Sequence, residues 1–323
     1  MDLKSITDLK SIIQGRLDFG SEKSFVQMQK MYEHRIDNFY KSDVFIKEEA
    51  FDTETWSINI PRLITMGLEK AWTNTVTLLE YLAQFAISGS ISAWLVQDGK
   101  ILKYAVIEPK SDKAVVQNFI KGKKLSAQAG KEKEALKALT NVIEQHDSHA
   151  QAYERRGYVN YELGKLADAL YDFTKCISYD PFIPSAYYSR AKVHMHQKNY
   201  EAAIMDLDLT TQKAIALQPI YWKARLLKGQ CHFHLQQYAE AAKEFKLFLG
   251  RAFAKDDPNL EKRKEAFYRH AQALVALKDK TKALEALEAG QKLSGQGDKA
   301  LQENITTLLR QLKENAGEPV SAK

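Results

Sequence analysis

Two His-x-His triplets, His194-Met195-His196 and His232-Phe233-His234, are the most metal-like feature of the chain, and Cys231 adjoins the second. Imidazole and thiolate are the usual zinc donors, but a closed site needs four ligands. On a helix, residues i and i+2 point about 200° apart, so the two histidines of one triplet cannot grip one ion. His196 and His234 could face each other across neighbouring helices, yet two ligands make only a weak, open site. Helix packing and polar lining are the better reading, and no metal is expected. Cys176 stands where a helix wants a small apolar residue and reads as a buried structural thiol. The sequence holds no Gly-rich phosphate loop, HExxH, GxSxG or paired CxxC. Asp52, Glu54 and Glu80 have no spacing that turns them toward one another. No catalytic residue and no cofactor is expected.

Composition sets the frame for whatever holds these side chains. The chain has 323 residues, 45% hydrophobic and 27% charged, which is a globular profile with room for two domains. Seven prolines and fifteen glycines are few for a turn-rich β fold. Two cysteines cannot form a disulfide framework, so a reducing compartment is the default and a cytoplasmic location is expected. The first twenty residues mix charge and apolar residues with no signal-peptide core. The least polar stretch, Ala71 to Val96, contains Glu80 and Asn74 and reads as a helix followed by a strand, with no membrane span expected. Residues 1–115 carry 14 Lys/Arg against 16 Asp/Glu, and the remainder 33 against 25, so the second part favours acidic partners.

A repeat organises that second part. Ala150–Pro181 aligns with Pro184–Leu207 at a shift of about 34 residues. Tyr153 falls on Tyr187, Gly157 on Ala191, Ala169 on Ala203 and Phe173 on Leu207. A third copy begins near Trp222, with Gly229, Ala241 and Phe245 in frame. A fourth begins near Lys264, with Phe267, Ala271, Ala283 and Leu287. A degenerate first copy carries Phe119, Ala135 and Leu139. The small residues sit where two helices must approach closely, and the large ones fill the space between pairs. Pro181 and Pro219 follow helix ends.

This pattern resembles the tetratricopeptide repeat (TPR), a pair of antiparallel helices, A and B. The resemblance implies a mainly α fold: a right-handed TPR solenoid in residues 112–315. Its repeats lie near 116–149, 150–183, 184–221, 222–263 and 264–297. Residues 300–314, with Leu301, Ile305, Leu308, Leu309 and Leu312 on one stripe, form a capping helix. Residues 316–323 are expected to fray. Four extra residues between Leu207 and Ala214 predict a B helix one turn longer. Asp257-Pro258 predicts a long A helix over 258–277.

Residues 1–111 do not repeat and are expected to form a small helical module with one hairpin. Helical spacing covers Ser5–Ile13, Ser21–Lys41, Pro61–Glu69 and Ala71–Phe85. Two β-rich runs over 91–108 are joined by Asp98-Gly99, a strong hairpin signal. Helices followed by a hairpin could be a winged DNA reader. Only Lys100 and Lys103 decorate that hairpin, however, and Ala71–Phe85 has no cation for phosphate contacts, so nucleic acid is not expected. An enzyme or small-ligand sensor with its site in residues 1–111 is the other alternative.

In TPR proteins the concave surface is lined mainly by A helices and binds a peptide or partner helix. The resemblance places Lys121, Lys124, Arg155, Tyr158, Tyr161 and Tyr188 on that surface. It adds Lys192, His196, Lys223, Gln230, His234 and Arg269. Cations with aromatic walls suit a carboxylate-bearing segment, and the same lysines would equally keep an empty groove soluble. The expected function is a non-enzymatic scaffold binding a protein or peptide, with self-association of two copies a narrower possibility.

Overall fold

The computed structural model describes residues 9–41, 43–293 and 299–314. It divides into two compact units, Met1–Ala186 and Tyr187–Lys323.

The first unit opens with an antiparallel sheet. Its strands are β1 (Lys10–Asp18), β2 (Phe51–Asp52), β3 (Ser57–Met66), β4 (Ser88–Gln97) and β5 (Lys100–Ile107), in the order β2-β3-β1-β4-β5. Helices α1 (Glu22–Arg35) and α2 (Glu69–Leu82) close one core against it. Ile13, Leu17, Ile58 and Ile91 of the sheet meet Phe25, Met28, Trp72 and Leu79 of the helices, all buried. The hairpin read from Asp98-Gly99 is present as β4 and β5. Both turn residues have positive φ (49° and 73°), as the tight mirror-image hairpin turn requires.

The hairpin is the margin of a larger sheet, and two expected helices are strands. Of Ser5–Ile13, residues 5–8 lie outside the described residues, and Lys10 onward is β1, the central strand. It pairs with both β3 and β4. β1 is buried on both faces, with Ser11 and Gln14 buried beside Ile12 and Ile13, so it lacks the apolar/polar alternation that would mark it as a strand. Pro61–Glu69 fails for another reason. Pro61 lies inside β3 where the register slips between Ile13/Leu63 and Gly15/Ile60, so its missing N–H leaves no gap in the ladder. The other two helices stand as α1, which runs into a π turn at Ile36–Tyr40, and α2.

Helix pairs follow. In the first unit, α3 (Ala114–Leu125) pairs with α4 (Glu132–Gln145), and α5 (Ala150–Glu162) with α6 (Leu166–Tyr179). Next come α7 (Pro184–His196), α8 (Tyr200–Lys213), α9 (Pro219–His234), α10 (Tyr238–Leu249), α11 (Arg263–Ala276) and α12 (Lys280–Gln291). The small residues predicted at helix crossings are there for space. A Cβ on Gly157 would lie 2.9 Å from Phe173 Cε1, and one on Gly229 2.6 Å from Phe245 Cε1. Ala169, Ala203, Ala241 and Ala283 are fully buried.

The inserted residues sit elsewhere than expected. Helix α8 has 14 residues, as α6 does, while α9 has 16 against 13 in α5. Ala214 turns extended and Ile215 is buried, so α8 stops, and the extra turn goes to the start of α9, opened by Pro219. The helix expected over 258–277 begins later. Asp257 Oδ1 accepts from Asn259 N–H at 2.8 Å, a 3₁₀ turn covers Leu260–Lys262, and α11 starts at Arg263.

The cap is α13 (Lys299–Glu314), with Ile305 and Leu309 buried in the α10–α12 core and Leu301, Leu308 and Leu312 packed beside them. The tail 316–323 lies outside the described residues. No described helix is long and apolar enough to cross a membrane.

Sheet and helix pairs adhere closely within the first unit. Gly89 N–H donates to Gln151 Oε1 at 2.8 Å, and Lys113 Nζ to the Phe85 carbonyl at 2.6 Å. Lys123 pairs with Glu108 at 2.8 Å. The change from strands to helix pairs falls between Ile107 and Ala114, whereas the compact unit continues to Ala186.

Candidate protein-interaction surfaces

Helix A is locked to helix B by a buried acid, an arrangement the sequence reading missed. In α5/α6, Arg156 Nη2 and Nε donate to Asp172 at 2.7 and 3.0 Å, and Asn160 Nδ2 adds a bond at 3.0 Å. In α7/α8, Arg190 Nη2 and Nε donate to Asp206 at 2.7 and 2.9 Å, with His194 Nε2 at 3.8 Å. In α9/α10, Arg225 lies 2.7 Å and Lys228 3.1 Å from Glu244. All three acids are buried. Desolvation raises the Asp172 carboxyl above the usual range, against the pull of Arg156 and Asn160. Burial also works against the Arg156 charge, but the bonds to Asp172 outweigh it and the guanidinium is held more firmly protonated. A bidentate pair has one good alignment, so it sets how helix A lies on helix B and which A-helix residues face outward. The clue was in the sequence, since Arg156/Arg190 and Asp172/Asp206 recur in the repeat frame.

None of the twelve predicted lining residues is buried. In the first unit Lys121, Lys124 and Tyr158 are exposed, and Arg155 and Tyr161 partly so. Arg155 lies 3.8 Å from Glu154, which also accepts a hydrogen bond from Ser185 Oγ. In the second unit Lys223, His196 and His234 are exposed, and Tyr188, Lys192, Gln230 and Arg269 partly so. Several are engaged with neighbours. His234 stacks on Tyr200 with centroids 4.6 Å apart, and Gln230 donates to Glu265 at 3.3 Å. Arg269 reaches Gln272 at 3.5 Å, and its Nε is buried with no hydrogen-bond partner among the described residues. Lys121, Lys124 and Lys223 make no ion pair among the described residues.

A larger concavity lies in the second unit, and the sequence reading missed it as well. A cleft of about 1190 Å³ opens between α10 and α12. Phe267, His270 and Leu274 of α11 form its floor. At 3.6 residues per turn these three share one side of α11, while the predicted lining residue Arg269 shares the opposite side with Tyr268 and Gln272. Trp222 and Arg251 close one end, the guanidinium 5.7 Å above the indole. Arg251 comes from the long connection between α10 and α11, the same segment that lengthens the third repeat. Burial, with Lys246 nearby, pushes the His270 imidazole below its usual value.

Three other constellations carry less. Asp18 Oδ2 and Ser148 Oγ lie 3.3 and 3.2 Å from His146, beside a cleft of about 450 Å³. Both meet the same ring nitrogen, Nε2, whereas a relay from carboxylate to hydroxyl needs opposite nitrogens. The histidine triplets do not converge, because His232 Nδ1 meets Gln237 Oε1 at 2.6 Å while His234 stacks on Tyr200. Among the described residues no three His, Cys, Asp or Glu side chains are placed to hold a metal ion. Cys176 and Cys231 are buried and form no disulfide among the described residues, and desolvation pushes the Cys231 thiol up to about 12, far from a thiolate at neutral pH. On the hairpin, Lys103 is already paired with Glu69 at 2.6 Å.

Helix pairs of this length, stacked with small residues at their crossings and closed by an amphipathic helix, define an α-solenoid. The profile described as "Tetratricopeptide repeat" matches residues 127–177, 210–258 and 265–289. Over those residues the chain carries tetratricopeptide repeats. Among curated proteins it is similar to "DnaJ homolog subfamily C member 3" of Mus musculus, 33% identical over 125 residues. That match covers 39% of this chain and 23% of the relative. It is also similar to "RNA polymerase II-associated protein 3" of Homo sapiens, 30% identical over 100 residues, covering 31% and 14%. The chain thus spans less than a quarter of the length of these relatives. Among solved structures, MamA from Desulfovibrio magneticus RS-1 superposes with TM-score 0.47 at 18% identity, covering 56% of this chain and 95% of that one. A tetratricopeptide repeat protein from Parabacteroides merdae gives 0.44 at 15%, covering 92% and 88%.

Proposed function

We propose that this chain is a non-catalytic scaffold that holds partner proteins on the outward faces of its A helices, taking an extended acidic segment there. The observation that carries the reading is the state of those faces. Lys121 and Lys124 of α3 and Lys223 of α9 are exposed without an ion pair among the described residues; α5 carries Tyr158, exposed, and Tyr161, partly so, and α7 carries Tyr188, partly exposed. Guanidinium and ammonium groups bind carboxylate oxygens, and partly exposed rings supply contact area at low entropy cost. The tetratricopeptide-repeat matches support the class of function, and the likeness to a DnaJ homolog and to an RNA polymerase II-associated protein supports protein partners.

In this reading residues 112–315 do the binding, and the sheet module in residues 1–111 closes the first helix pair. Two buried cysteines that form no disulfide among the described residues suit a reducing compartment such as the cytoplasm.

The test is capture of partners from a cell lysate on the full chain and on Arg155→Glu/Lys192→Glu. The captured partner is then titrated against both. The double reversal should weaken binding more than about tenfold, or about 1.4 kcal/mol, with an unchanged melting temperature. A partner held equally by both proteins would remove the A-helix faces as the working surface.

A further inference from the structure

The cleft between α10 and α12 has the make-up of a second docking surface, turned away from the A-helix faces. Apart from His270, its floor and walls are apolar: Phe267, Leu274, Leu247, Leu249 and Ala242, with Trp222 at one end. Its charge is one-sided. Lys243, Lys246, Arg251 and Lys282 line it against a single acid, Glu285. Lys282 is held by Asp279 at 2.6 Å and Arg251 lies over Trp222, but Lys243 and Lys246 are exposed and make no ion pair among the described residues. Lys243, Lys246 and Leu247 stand one turn apart on one side of α10, so the two free ammonium groups and an exposed leucine border the same opening.

We infer that this cleft binds an acidic amphipathic segment of a partner protein, with two or three apolar anchors in the floor and carboxylates against Lys243 and Lys246. The size fits, since about 1190 Å³ accommodates the inward side chains of about two helical turns. The charge is complementary, and an apolar floor rimmed by unpaired cations leaves little for a neutral or basic segment to gain. A nucleic-acid strand is the poorer match. Bases need exposed stacking platforms in series, and here Phe267 and His270 are only partly exposed and set among Leu247, Leu249, Leu274 and Ala242. The surface is independent of the A-helix faces, because the floor residues of α11 lie opposite Tyr268, Arg269 and Gln272. A protein with both surfaces occupied would bridge two partners.

The experiment uses the full chain and a fluorescein-labelled, amidated peptide of about four helical turns. One face of the peptide carries Leu and Phe at i, i+3 and i+7, and the rest is mainly Glu. Anisotropy titration should give saturable binding that weakens as salt rises from about 50 to 500 mM. Lys243→Glu/Lys246→Glu should weaken it more than about tenfold, and Leu247→Asn severalfold. Arg155→Glu/Lys192→Glu should leave it unchanged. All of these side chains are exposed or partly exposed, and melting curves confirm that each variant is folded. The inference is overturned if the Glu peptide does not saturate, if a Lys-for-Glu version binds as well, or if the α10 reversal has no effect. It is equally overturned if the Arg155/Lys192 reversal is what removes binding, or if a single-stranded oligonucleotide displaces the peptide at lower concentration than unlabelled peptide does.

Discussion

His149 should make the stability of the first unit depend on pH between 7 and 5. It precedes α5, and its Nδ1 accepts from Ala152 N–H at 3.2 Å, capping the helix through a lone pair that a proton would remove. The ring is fully buried, 4.6 Å from Phe119, and its Nε2 has no hydrogen-bond partner among the described residues. Desolvation, helped by His146 and opposed by the backbone bond and Asp18, lowers its pKa from 6.5 to about 3. The unfolded chain therefore takes up a proton below pH 6.5 that the folded chain refuses until about pH 3. The stabilisation is complete above 6.5 and is lost as pH falls through that window, by about 1.4 kcal/mol per unit, or about 2 kcal/mol by pH 5. His149→Asn keeps a capping oxygen and cannot titrate. It should cost about 1 kcal/mol at pH 7.5 through lost ring packing. Its further loss between pH 7.5 and 5.0 should be about 2 kcal/mol smaller than the parent's. Urea unfolding at the two pH values, followed by tryptophan fluorescence, measures the difference; Trp56, Trp72 and Trp94 all lie in the same unit. Equal losses in parent and variant would refute the reasoning and move the titration to another histidine, such as the partly buried His194.

The remaining predictions concern the helix pairs. Gly157→Leu drives a side chain into the space held by Phe173 and Asp172, where even a Cβ would sit 2.9 and 3.0 Å away. It should lower stability by about 1–3 kcal/mol, seen as a lower melting temperature. Asp172→Ala leaves Arg156 without its buried acid and should cost about 3–5 kcal/mol. Asp172→Ala with Arg156→Leu should recover much of that, and a denaturation series on the three variants would show whether the bond or the packing matters.

Legibility in the sequence followed the kind of signal each element carries. The helix pairs were readable because small and large residues recur in a fixed frame, and α13 because its apolar stripe is narrow and its other face polar. The hairpin was readable from two turn residues that tolerate positive φ. Strand β1 was hidden because burial on both faces erases alternation, and β3 because its proline sits in a register slip that only the partner strand reveals. The four-residue insertion gave the added turn but not which helix received it, since that depends on Ile215 finding a buried place. The predicted A-helix lining is at the surface throughout, but Gln230, His234 and Arg269 have neighbours that no linear spacing announces. The α10/α12 cleft was missed because its walls come from helices and a loop that only stacking brings together.

The buried acids between A and B helices bear on how such a chain can change length. Each carboxylate is answered inside its own helix pair: Asp172 by Arg156 and Asn160, Asp206 by Arg190. A gene duplication that copies one repeat copies both halves of the ion pair, and a deletion removes both. Neither event strands a charge in the interior of its neighbour. The α9/α10 pair shows the same independence after an insertion, for Arg225 and Glu244 still meet at 2.7 Å although α9 itself has gained a turn at its start. Polar self-sufficiency within the repeat makes the number of repeats an evolvable quantity, separable from the stability of any one of them.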